Sequence, residues 1–306
     1  MRNLEKYHGI IPAFYACYDE AGEISSERVK TLVQYFIDKG VQGLYVNGSS
    51  GECIYQSIAD RKQVLEAVMA VAKGKLTIIN HVACNNLKDS IELARHSQKM
   101  GVDAIAAIPP IYFRLPEHSI AAYWNGISLA APDTDFIIYN IPQLAGVSLT
   151  PNLYREMVKN PRVVGVKNSS MPVQDIETFV RLGGEDYVIF NGPDEQFLGG
   201  RLMGAKGGIG GTYGAMPELF LRLNQLIIEK ELEVARQLQS TINAIIDKLV
   251  SGHGHMYAVI KEVIRLNDGL NIGSVREPLT GLIESDRKIV EEAVLMINEA
   301  KKKFGI

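Results

Sequence analysis

A lysine closing the apolar run Val163-Val164-Gly165-Val166-Lys167 is the residue of this chain best suited to covalent chemistry. A free lysine titrates near 10.4, so only about 1 in 2,500 side chains carries the neutral, nucleophilic amine at pH 7. Desolvation and positive neighbours bring catalytic lysines to roughly 7–8, where the amine can attack a ketone. The other reading of Lys167 is structural: an amine that snorkels to the surface or pairs with a carboxylate.

Further clusters could serve the rest of such a substrate. In Gly48-Ser49-Ser50-Gly51 two glycines free the backbone for strained angles, so that successive N–H groups converge on an anion, and the hydroxyls add donors. That suits a carboxylate; the plainer reading is a tight turn. Tyr139, ending Phe136-Ile137-Ile138, is either a core ring or a phenol available for proton transfer. Asp194 and Glu195 follow a Gly-Pro turn and read as a solvated loop, a metal pair or acceptors for sugar hydroxyls. No histidine joins them at ligand spacing, so no metal is expected. The glycine-rich run 207–211 either cradles phosphate or lets backbone approach a ligand closely; Tyr213 breaks the G-x-G-x-x-G pattern. His253 and His255 read as loop histidines. Asn47-Gly48-Ser49 and Asn168-Ser169-Ser170 match the glycosylation sequon, a coincidence where no secretory signal precedes them.

These residues need a scaffold that presents them together. β-rich runs at 9–18, 43–47, 76–82, 104–108, 135–140, 163–167, 187–191 and 207–211 alternate with amphipathic stretches such as 26–39 and 87–100. In the first stretch Val29, Leu32, Val33, Phe36 and Ile37 share a face, Ser25 and Ser26 offer an N-cap, and Gly40 a stop. Consecutive βα units without a topological break predict an α/β fold, a (β/α)8 TIM barrel, over an open doubly wound sheet. Barrel enzymes work at the carboxyl ends of their strands, and 47–52, 139–142, 167–170 and 191–195 all fall there. From residue 229 the alternation stops. Stretches 231–250, 255–267 and 284–303 predict a C-terminal three-helix extension. The expected division is a catalytic barrel over 1–228 with an extension over 229–306 packed on it.

Composition narrows the function classes. Hydrophobic residues make up 46% of 306, enough for a sizeable core. The net charge is −3, with lysine and arginine spread along the chain, so no nucleic-acid partner is expected. The longest apolar runs are strand-sized, short of the roughly 20 residues of a membrane span. The N-terminus shows no charged segment followed by an apolar one, so a cytoplasmic location is expected. Cys17, Cys53 and Cys84 are odd in number and form no Cys-x-x-Cys; they read as small buried residues in a reducing compartment.

Taken together, Gly48-Ser49-Ser50-Gly51-Glu52, Tyr139-Asn140-Ile141-Pro142, Gly165-Val166-Lys167 and Asn191-Gly192-x-Asp194-Glu195 resemble the N-acetylneuraminate lyase and dihydrodipicolinate synthase superfamily, over essentially the whole chain. The resemblance implies a homotetrameric Schiff-base aldolase that acts on a small 2-oxo acid and needs no cofactor. It implies Lys167 as nucleophile, Tyr139 as the proton-shuttling tyrosine, and Ser49 and Ser50 as binders of the pyruvate carboxylate. It further implies Ser169 as a substrate hydroxyl contact, and Gly192, Asp194 and Glu195 as polyol contacts. Tyr112 resembles the tyrosine that leans toward a neighbouring subunit's site and would join the catalytic set.

Within the superfamily the chain is similar to the lyase branch. The synthase branch usually carries an arginine two residues after the proline of Tyr-Asn-x-Pro, and Leu144 stands there. Ser50 occupies a place where threonine is common, and Gly211 one where lyases often have a serine that touches the polyol. Gly211 either leaves room for a side chain or serves a positive φ. The expected reaction is retro-aldol cleavage of N-acetylneuraminate to N-acetylmannosamine and pyruvate. Another pyruvate-dependent enzyme of the superfamily, a 2-keto-3-deoxy sugar acid aldolase or a dihydrodipicolinate synthase-like one, and a non-catalytic 2-oxo-acid or sugar-binding sensor are the alternatives.

Overall fold

In the computed structural model, which describes residues 4–306, the β-rich runs form one eight-stranded parallel sheet. Its strands are β1 (Gly9–Pro12), β2 (Gly43–Val46), β3 (Thr77–His81), β4 (Ala104–Ala107), β5 (Asp135–Asn140), β6 (Val163–Asn168), β7 (Val188–Asn191) and β8 (Gly207–Gly210). Each pairs with its neighbour in sequence from β2 to β8, and β8 pairs with β1. The ring closes between β1 and β2: the Gln42 and Phe14 amides donate to the Ile10 and Tyr45 carbonyls, both at 2.9 Å, and Ala13 bridges Tyr45. The sheet is a barrel, not an open doubly wound sheet.

Helices alternate with the strands. They are α1 (Ser26–Lys39), α2 (Ile58–Ala72), α3 (Leu87–Met100), α4 (Glu117–Ala130), the short α5 (Pro142–Ala145) and α6 (Pro151–Met157), α7 (Gln174–Gly183), α8 (Phe197–Leu202) and α9 (Pro217–Ile228). Their ends follow local chemistry. Ser25 accepts from the Arg28 amide at the start of α1, and Gly40, at φ 75°, ends it in the left-handed conformation that glycine adopts most readily. Three helices follow without intervening strands: α10 (Leu232–Val250), α11 (Met256–Asp268) and α12 (Asp286–Lys303). No helix among the described residues is long and apolar enough to cross a membrane.

Strand ends differ from expectation. The run 9–18 yields only four residues of strand; Tyr15 and Tyr18 are buried in a loop instead. Tyr15 packs against Tyr257 of α11 and the Tyr18 amide donates to Ile272, so the C-terminal segment buries what a longer strand would have buried. Of the cysteines, Cys17 is buried as expected, whereas Cys53 and Cys84 are only partly so.

Inward residues of the strands fill the barrel, among them Ile11, Tyr45, Ile79, Ala106, Ile137, Phe190 and Ile209. Tyr7, from a single 3-10 turn (Glu5–Tyr7) before β1, joins this inner cluster and is fully buried. Its ring meets Phe190 edge-on at 6.4 Å and its hydroxyl donates to Asp135, the first residue of β5, at 2.8 Å. Tyr7 thus stops the barrel at the end where its strands begin.

Candidate active site

Lys167 reaches the barrel interior because β6 carries an irregularity. Phe136 of β5 pairs with Val163, but the next residue, Ile137, pairs with Gly165, so β6 spends one extra residue there. Val164 belongs to the inner cluster, while Val163 and Val166 pack in the outer core. Strict alternation from an inward Val164 would turn Val166 inward and Lys167 out among the helices. The bulge reverses that parity. Gly165 permits it: a Cβ there would lie 2.0 Å from the Val188 carbonyl oxygen.

Lys167 is 5% exposed, and its Nζ lies over two rings, 4.0 Å from the centre of Tyr139 and 4.3 Å from that of Tyr45. Among the described residues it forms no ion pair, which removes the paired structural reading. Tyr139 is its partner in the strand register and is itself buried. Tyr139, Tyr45 and His81 form a ring cluster with centroids 5.6–6.2 Å apart. His81 Nε2 accepts from the Ile108 amide, so Nδ1 carries the proton and donates to the Asn47 carbonyl. Burial, and then the Arg61 charge, push its pKa well below the ordinary range, and the ring stays neutral.

The turn after β2 is built differently from expectation. The residues at positive φ are Asn47 (58°) and Glu52 (55°), not the two glycines. Gly48 is needed for close approach, since a Cβ would fall 2.6 Å from the Tyr45 ring. Ser49 is partly exposed; Ser50 is buried and donates to the Tyr257 hydroxyl at 3.0 Å. Asn47 and Asn168 are buried, Asn47 donating to Asn80 and Asn168 to Ser170, so neither offers a glycosylation site. Asn140 donates to Asn168 at 2.7 Å and locks the ends of β5 and β6 together, beside Tyr139 and Lys167.

On the far side, Ser169 and Gly192 meet: a Cβ on Gly192 would lie 2.0 Å from the Ser169 hydroxyl. Asp194 is buried, and one carboxylate oxygen takes both the Thr212 amide (2.6 Å) and hydroxyl (2.5 Å). Burial raises its pKa to about 6, against the lowering effect of those bonds. Glu195 is exposed. The Asp-Glu pair is therefore split: one carboxylate is fixed inside and the other is in solvent. Asn243 and Gln239 of α10 donate to the carbonyls of Glu195 and Asp194 and hold their loop.

Gly207, Gly208 and Gly210 serve packing, not phosphate. Added Cβ atoms would strike the Gly9 carbonyl and the Tyr213 ring. Gly211, just past β8, is not at positive φ; a Cβ would sit 3.3 Å from the Ser50 hydroxyl and 3.5 Å from that of Tyr257. Tyr112, at φ 85°, stands 88% exposed against Phe113.

A cavity of about 390 Å³ opens at the mouth, lined by Ser49, Ile141, Leu144, His255 and Tyr257 among others. His255, expected as a loop histidine, caps α11 by accepting from the Tyr257 amide and faces this space. Tyr45, His81 and Tyr257 had no standing in the motifs. In the sequence Tyr45 and His81 look like core residues of apolar strands, and nothing local points to Tyr257.

The dihydrodipicolinate synthetase family profile matches residues 6–297. The N-acetylneuraminate lyase of Mediterraneibacter gnavus is 66% identical over 304 residues, spanning 99% of this chain and 96% of that protein. The lyase of Salmonella agona is 34% identical over 276 residues, 90% of this chain and 92% of its own. Among solved structures, a catalytic lysine mutant of Ruminococcus gnavus sialic acid aldolase superposes with a TM-score of 0.99 at 66% identity, covering 99% of this chain and 100% of that one. N-acetylneuraminate lyase from Fusobacterium nucleatum gives 0.87 at 29%, covering 98% and 99%.

Proposed function

This chain belongs to the dihydrodipicolinate synthetase family, and from that premise we propose that it is a Schiff-base aldolase cleaving N-acetylneuraminate to N-acetylmannosamine and pyruvate. The observation that carries the mechanism is Lys167: a buried amine inside the barrel, over the Tyr139 and Tyr45 rings, that forms no ion pair among the described residues.

The Ser49–Ser50 turn holds the substrate carboxylate. The Lys167 amine adds to the C2 ketone and water leaves, giving a protonated imine. The C4 hydroxyl gives its proton to Tyr139 as the phenol passes its own proton on to the substrate carboxylate, the C3–C4 bond breaks, and its electron pair flows into the imine to form an enamine. N-acetylmannosamine departs as the aldehyde. The enamine takes a proton at C3, and hydrolysis frees pyruvate and the amine. The imine is itself the electron sink, so the cleavage calls for no metal or organic cofactor. This reading takes Ser169, Gly192, Asp194 and Glu195 as the contacts of the polyol tail. Leu144, lining the mouth where the synthase branch has an arginine, leaves no cation for a second carboxylate and supports the lyase.

The working unit of this reading is the barrel over 1–228 with the 229–306 extension packed on it. It further takes the protein as a cytoplasmic homotetramer in which the exposed Tyr112 turns toward a neighbouring subunit's site; sedimentation of the purified protein tests the assembly.

Pyruvate with borohydride tests the chemistry, because reduction makes the imine permanent. One mass increment on Lys167 is expected, and none in Lys167→Ala, which should still fold. Labelling of another lysine, or undiminished turnover by the variant, overturns the mechanism. Pyruvate release across N-acetylneuraminate and shorter keto-deoxy acids tests the substrate; a faster shorter acid would displace the sialic acid.

A further inference from the structure

We propose that the buried Glu52–Lys261 ion pair is a positioning device through which α11 sets the Ser49–Ser50 turn, making the C-terminal extension part of the carboxylate-binding machinery. The inference rests on the reading of that turn given above.

Lys261 Nζ donates to one Glu52 oxygen at 2.7 Å and to the Ser274 carbonyl at 2.6 Å; the two paired side chains are 1% and 0% exposed. The other Glu52 oxygen accepts from the Arg276 amide (2.9 Å) and the Tyr18 hydroxyl (3.1 Å). Three segments of the chain therefore converge on this carboxylate. Tyr257 stands one helical turn before Lys261 on the same face of α11, and its hydroxyl meets Ser50 at 3.0 Å. One face of one helix thus grips the turn at Ser50 and again at Glu52. A single contact would leave the turn free to swivel; two fix its orientation.

The backbone points the same way. Glu52 sits at φ 55°, a left-handed conformation that is unfavourable for a non-glycine residue and persists only when surroundings impose it. Stability does not account for the pair. Buried ion pairs replaced by well-packed apolar groups are often neutral or stabilising, because desolvation offsets the attraction. What this pair supplies is direction, at the residue where the turn must be held.

Four variants separate positioning from mere support. Lys261→Met and Glu52→Gln each remove one charge, the double variant removes both, and Tyr257→Phe removes only the hydroxyl at Ser50. For each, the thermal midpoint is measured together with the pyruvate concentration that half-saturates borohydride trapping on Lys167. Lys261→Met and Tyr257→Phe should raise that concentration about tenfold or more, as loss of a hydrogen bond or misplacement of a binding group does. The double variant should regain stability lost by the single ones without regaining pyruvate affinity. Half-saturation within twofold of the parent, whatever the midpoint, overturns the proposal, as does a double variant that recovers both together. Should Lys261→Met fail to fold, Tyr257→Phe and the double variant decide. A parent that traps no pyruvate at all overturns the reading of the site, and this inference with it.

Discussion

Lys167 is walled by rings, not carboxylates, and so keeps its donor directions for a substrate. On the proposed mechanism Tyr139 is the wall with a second duty, proton transfer. Tyr139→Phe keeps the ring against Lys167 and should fold with an unchanged melting profile, yet lose about 10²–10⁴-fold in turnover, the usual contribution of a general acid–base group; a rate within twofold of the parent would make Tyr139 packing alone. Asp194 carries a stability cost that function explains. Its carboxyl, ordinarily at 3.8, is raised to about 6 in the fold. Between those values the native state holds more proton than the unfolded chain, so this group's stabilisation is full below pH 3.8 and is lost as pH rises through 6, on the order of 3 kcal/mol. Asp194→Asn keeps an acceptor for Thr212 and should melt higher than the parent at pH 7.5 but not at pH 4. The same change should cut kcat/KM for N-acetylneuraminate by roughly 10–150-fold while leaving pyruvate trapping intact. A parent whose melting temperature climbs from pH 4 to 7.5 relative to the variant would reverse the sign. Ser49, Ser50, Tyr139 and Lys167 could be picked out by side-chain type at strand ends. Tyr45 and His81 could not, because an aromatic or a neutral histidine inside an apolar run looks like core, and here each is both core and wall.

Within β6 the chemistry hangs on a count of one residue. Alternating β-rich and amphipathic runs reveal that strands exist and in what order, since those patterns record which faces are buried. They do not reveal the bulge: Val163-Val164-Gly165-Val166 reads as a plain apolar strand, and only the glycine hints at an irregularity. Nor do they reveal that β1 stops at Pro12, because Tyr15 to Tyr18 are as buried as a strand would be, against helices far along the chain. Gly165→Ala would force a methyl group to within 2.0 Å of the Val188 carbonyl. Backbone cannot yield there without breaking β6–β7 pairing, so the variant should lose at least about 2 kcal/mol in denaturant unfolding, or fail to accumulate. Gly211→Ala is the control: with its nearest neighbour at 3.3 Å and no positive φ, it should unfold close to the parent. Equal stability for both would refute the steric account of the bulge.

The barrel and its appended helices share one core. Leu219, Phe220 and Leu223 of α9 lie in the same cluster as Leu238 and Ile242 of α10 and Ile297 of α12. A chain ending at residue 228 would uncover that face and strip Glu52 of Lys261 and of the Arg276 amide that hold it. It should be insoluble or bind a hydrophobic dye, and trap no pyruvate; a soluble fragment that labels at Lys167 would show the barrel self-sufficient. The stopper formed by Tyr7 has a consequence for traffic. A vessel closed at one end has a single door, through which reactant enters and both fragments leave. If, as proposed, pyruvate is tethered to Lys167 below the door and the sugar aldehyde is not, the aldehyde departs first. Departure in that order dictates the pattern of product inhibition. Added pyruvate, which meets the empty enzyme, should compete with N-acetylneuraminate, whereas added N-acetylmannosamine, which meets the enzyme while pyruvate is still attached, should lower the maximal rate. Competitive inhibition by both would mean that the fragments leave in either order.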